Sequence, residues 1–192
     1  MLQNITVKGT RGVTRQVLQF GALVMGIAML CHAAEHGVLT GTVADVGSAT
    51  KTVVVKTADG TEHTLQFARH TTVHGTKEAA RGTGDAFHGL EKGNKVVVHY
   101  TAEGGKETAD EVGKVGDDGL KAAKVTVTHF DKGAKTVAVK TADGTKETFV
   151  VTGRAGEEIG KGVAKGGEDA AKGTIYFTEK SGQKIAHFFE HI

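Results

Sequence analysis

The chain has 192 residues, 28 of them Gly, with no Pro, no Trp and a formal charge of +2. That length suits one or two small domains, and so much Gly without a collagen-like period predicts many turns or flexible loops. The basic excess lies in the first 33 residues: without Lys8, Arg11 and Arg15, 21 basic residues face 22 acidic ones, which removes the basic footprint a nucleic-acid binder needs.

Those three cations precede the apolar run "FGALVMGIAMLC" (Phe20–Cys31), and no acidic residue occurs before Glu35. The run matches the h-region of a signal peptide and falls short of the roughly 20 residues that span a bilayer. "CHA" (Cys31–Ala33) offers small residues for cleavage after Ala33 or Ala34. The expectation is a signal peptide over 1–33 and export to the periplasm or beyond, with no stable membrane span after cleavage; an uncleaved anchor is the alternative. The single Cys leaves with the leader, so no disulfide is expected.

Beyond the leader the chain repeats itself. "KTVVVKTADGTEHTLQF" (Lys51–Phe67) matches "KTVAVKTADGTKETFVV" (Lys135–Val151), and "VVHYTAEGGKETADEV" (Val97–Val112) faces "TIYFTEKSGQKIAHFF" (Thr174–Phe189). The units run over 36–115 and 120–192, joined by a linker at 116–119. Each reads as three β-branched strands, a Gly-interrupted insert and two more strands. In the second insert Ala155, Ile159 and Val163 recur at helical spacing. The expected fold is mainly β: two tandem five-stranded OB-like barrels, each with a short helical insert between strands 3 and 4. An SH3-like barrel or an open sandwich is the runner-up.

The Asp-Gly turns have a specific register. A three-residue loop, Ala58-Asp59-Gly60, pairs Val55 with His63 and Val53 with Leu65, and in the second copy Val137 with Phe149. It keeps Lys56 and Lys140 outside and puts Gly60 and Gly144 in a left-handed bulge position. One carboxylate per turn is too few for calcium. "KTVVVKTADGTEHTL" followed by "GLEKGNKVVVHYT" resembles a group of small exported bacterial proteins of unknown function with tandem OB-like domains; the resemblance implies fold and export, and brings no catalytic site.

Among the candidate ligands, "HTTVH" (His70, His74) lies near a loop and could curl round a metal ion. "HFFEH" (His187, His191) has a zinc-peptidase spelling, but strict alternation on a strand sets its two His roughly 13 Å apart. Ser48 and Ser181 sit beside Gly in turns, and no nucleophile elbow or phosphate-binding loop appears. The carboxylate pairs, "DE" at Asp110-Glu111 included, read as solvated faces. Phe67 and Phe149, the aromatics of strands two and three, read as core, which leaves no stacking platform for nucleic acid. No cofactor fingerprint is found. The expectation is a non-enzymatic envelope module that acts by binding an unidentified protein or ligand or by structure; the alternative is His-mediated transition-metal binding, and a hydrolase of unrecognised type is the less favoured third reading.

Overall fold

A computed structural model describes residues 34–76, 87, 89–167 and 171–192. The leader, and residues 77–86 of the first insert, lie outside the described residues. Five strands form the first sheet: β1 (Glu35–Gly47), β2 (Thr52–Lys56), β3 (Glu62–His74), β4 (Lys95–Glu103) and β5 (Lys106–Val115). They close into a barrel in the order β1-β2-β3-β5-β4, with β3 and β5 parallel and the other pairs antiparallel. The second sheet uses β6 (Lys121–Asp131), β7 (Thr136–Thr141), β8 (Lys146–Val151), β9 (Lys172–Lys180) and β10 (Gln183–His191), and it closes in the equivalent order. One helix, α1 (Gly153–Gly166), joins β8 to β9. It buries Ala155 and Ile159 against the second barrel, and Val163 packs at the edge of that core.

The hairpins have the expected register. Val53 pairs with Leu65, Val55 with His63 and Val137 with Phe149. Val53, Val55 and Leu65 are buried, whereas Lys56 and Lys140 are exposed. Gly60 and Gly144 both have φ of +90°, where only Gly avoids a Cβ clash. Asp59 accepts hydrogen bonds from the Thr57 hydroxyl and from Thr61 N–H, and Asp143 repeats the pattern. These bonds hold both carboxyls below their ordinary range. Each Asp therefore ties down its own turn.

Each barrel has its own apolar interior, and a third cluster joins them. Val97 of β4, Leu120 just after the linker, and Tyr176 and Phe188 of β9 and β10 are all buried together. This explains why Val96 to His99 are buried in succession, as are Ala186 to Phe189. Alternate residues fill the barrel interior, while Val97, His99 and Phe188 on the outer face are covered by the neighbouring barrel. The linker is a tight turn: Gly116 N–H donates to Leu120 O (3.0 Å) and Leu120 N–H to Lys114 O (2.7 Å). Beside this cluster, Glu190 of β10 accepts the hydroxyls of Thr40 on β1 (2.6 Å) and Tyr176 (2.8 Å).

Candidate metal centre

Three β-irregularities assemble a histidine–carboxylate cluster between the barrels. In β3 the partner offset to β5 falls from 42 at Phe67–Ala109 to 39 at Thr72–Glu111, so three residues of β3 loop out. Thr71 pins that loop: its hydroxyl accepts Ala68 N–H (2.8 Å) and donates to Ala109 O (2.6 Å). Beyond it, Thr72 and His74 pair alongside Glu111 and Gly113, so His74 and Glu111 share the outer face.

In β5, Asp110 is the extra residue between the pairs Tyr100–Ala109 and His99–Glu111. In β10, His187 is the extra residue between Phe177–Ala186 and Tyr176–Phe188. The repeat aligns Asp110 with His187, so both units carry the same bulge, a device that re-aims a side chain. Each bulge residue reaches the other barrel. Asp110 pairs with Arg154 of α1 (3.1 Å), and His187 lies against His74, ring centroids 4.2 Å apart. The start of α1 clasps the second bulge: Thr152 N–H donates to Ala186 O (3.0 Å) and its hydroxyl to His187 O (3.3 Å).

The outcome is a compact ligand set. One ligand atom from each of His74, Glu111 and His187 lies within 4.8 Å of the other two. Glu111 Oε1 accepts from His74 Nε2 (2.5 Å) and Oε2 from His99 Nδ1 (3.1 Å). Burial pushes the Glu111 carboxyl up, but the hydrogen bonds from His74 and His99 outweigh it and hold the group at about 2. Glu111 is thus an anion at neutral pH and acts only as an acceptor. His187 is pushed down to about 4, first by burial and then by the proximity of His74, so it is neutral at pH 7. Its Nε2 shares a hydrogen bond with the Thr178 hydroxyl (2.9 Å), while its buried Nδ1 has no partner. His187 thus presents a buried ring nitrogen without a partner, as His99 does at Nε2. Phe188 shields the set, its ring 4.5 Å from His99 and 6.2 Å from His74.

Of the residues singled out from sequence, His74 belongs to this cluster and His70 does not. His70 is 70% exposed and faces Asp110 at 3.6 Å. His191 turns away to Glu158 O of α1 (2.8 Å). The reading of Asp110-Glu111 as a solvated pair is corrected: the Glu111 side chain is only 14% exposed, and that of Asp110 9%, because the second barrel covers β5. Strict alternation in β10 is corrected too, since the bulge frees His187 from the spacing it would have with His191. A groove of about 810 Å³ runs beside α1 past Phe130 and Val163 and shares no residue with the cluster. A cleft of about 280 Å³ between the barrels is lined by His36, His99, Arg154 and Lys161.

No protein-family profile and no curated protein matches the chain. Among solved structures, one of CusF with silver(I) is similar at 13% identity and a TM-score of 0.31, covering 41% of this chain and 95% of that one. Another, apo-CusF residues 6–88 from Escherichia coli, is similar at 13% identity and a TM-score of 0.30, covering 44% of this chain and 93% of that one.

Proposed function

We propose that the protein binds a divalent transition-metal ion between its barrels, through His74, Glu111 and His187. The observation that carries this reading is the convergence of three ligand atoms within 4.8 Å, one residue of the set having a buried nitrogen without a partner. Two imidazoles and a carboxylate suit zinc(II), copper(II) or nickel(II); thiolates and thioethers would favour softer ions. An ion held by this set would take the place of the proton between His74 and Glu111, with His187 as its third protein ligand. His99 holds the second carboxylate oxygen.

The role is binding without catalysis, in an exported protein whose barrels are of OB type. No helix among the described residues is long and apolar enough to cross a membrane. Calorimetric titration of the protein lacking residues 1–33 with zinc(II), copper(II) and nickel(II) is the test. One ion per chain, lost in His187→Gln, is expected; no heat and no melting shift with any of the three would sink the reading. Signal cleavage and export are checked by fractionation and N-terminal sequencing of the expressed full chain.

A further inference from the structure

The ligand set is divided: His74 and Glu111 stand on β3 and β5 of the first barrel, His187 on β10 of the second. The rest of the interface includes the small apolar cluster around Val97, Leu120 and Phe188, the Asp110–Arg154 ion pair and, beside the cluster, the Thr40–Glu190–Tyr176 contact. Contacts of this kind between domains leave relative motion as the default. Resting on the metal reading, we propose that ion binding and barrel docking are one linked equilibrium, with the ion acting as a clasp and Glu190 as a second part of the same lock.

Linkage makes the coupling reciprocal. A change that loosens docking at Glu190 weakens ion binding at His187, although it touches no ligand. The ion in turn holds the linker closed. Thr40→Val removes the hydroxyl that crosses the interface to Glu190 and keeps a β-branched side chain. Tyr176→Phe keeps the ring in the apolar cluster and removes the second donor.

Zinc(II) affinity and amide hydrogen exchange over 116–119 are measured for the wild type, for both variants and for His187→Gln. Zinc is expected to slow linker exchange in the wild type and to leave it unchanged in His187→Gln. Thr40→Val is expected to bind zinc about five- to ten-fold more weakly, as befits the loss of one bond to a carboxylate. Should Thr40→Val fail to fold, Thr40→Ala decides by the same criterion. Wild-type affinity in a folded variant, or linker exchange indifferent to zinc in the wild type, overturns the coupling and leaves the metal site standing. Absence of zinc binding by the wild type removes the site and the coupling together.

Discussion

His187 of the second barrel lies against His74 of the first, ring centroids 4.2 Å apart, although 113 positions separate them in the chain. Replacing either ring removes a ligand. His74→Gln and His187→Gln should each weaken zinc binding by at least about 100-fold, the upper range for outer-shell substitutions. His70→Gln should leave it unchanged, because His70 faces Asp110 and solvent. Equal losses in all three variants would place the ion elsewhere.

His99 supports Glu111 from behind. Its ring is 2% exposed, its Nδ1 bonds Glu111 Oε2 at 3.1 Å, and it packs against Phe188. His99→Gln should cost about 10- to 100-fold in metal affinity with stoichiometry preserved. Loss of stoichiometry would make His99 a ligand in its own right.

Acid should unfold the metal-free protein in two stages. His187 is held near 4 against an ordinary 6.5. Below 6.5 the unfolded chain takes the proton first, so stability falls as pH drops from 6.5 to 4, by roughly 3 kcal/mol at most. Glu111 is held near 2 against an ordinary 4.5. Its contribution is complete above 4.5 and disappears as pH falls toward 2, again by roughly 3 kcal/mol at most. Urea melts at pH 7, 5 and 3 check this, and His187→Gln should flatten the step between 7 and 5. An unchanged step in that variant would assign it to another group.

Gly113 is tightly packed against the second barrel. A Cβ there would stand 2.3 Å from Leu120 Cδ1, 2.8 Å from Phe188 Cε2 and 3.0 Å from Val97 Cγ1. Gly113→Ala should cost about 1–3 kcal/mol by overpacking and weaken zinc binding with it. Gly60→Ala meets no atom within 4 Å and should cost only about 1 kcal/mol, through its positive φ; zinc affinity should not move. Thermal melts with and without zinc separate the two.

The repeat, the hairpin register and the strand order within a unit are legible in the sequence because they depend on local alternation and turn chemistry. Val53 faces Leu65 for reasons contained within one hairpin. The site is less legible. His74 stands out as one of a close pair, but its partners Glu111 and His187 depend on bulges and on docking between units, which periodicity does not report. One signal does exist: "VVVH" (Val96–His99) and "AHFF" (Ala186–Phe189) read as continuous buried runs, the pattern of strands covered on both faces. A His within such a run is enclosed by something outside its own barrel.

The cross-strand pair His99–Glu111 in the first unit occupies the position of Tyr176–Phe188 in the second. The two equivalent surfaces are complements: one presents charge and imidazole, the other an aromatic wall and a bulged His. Two copies of the first unit would bring Glu111 without His187, and two of the second would bring His187 without Glu111. The proposed ligand set therefore needs both halves as they now stand, and neither barrel alone would hold the ion.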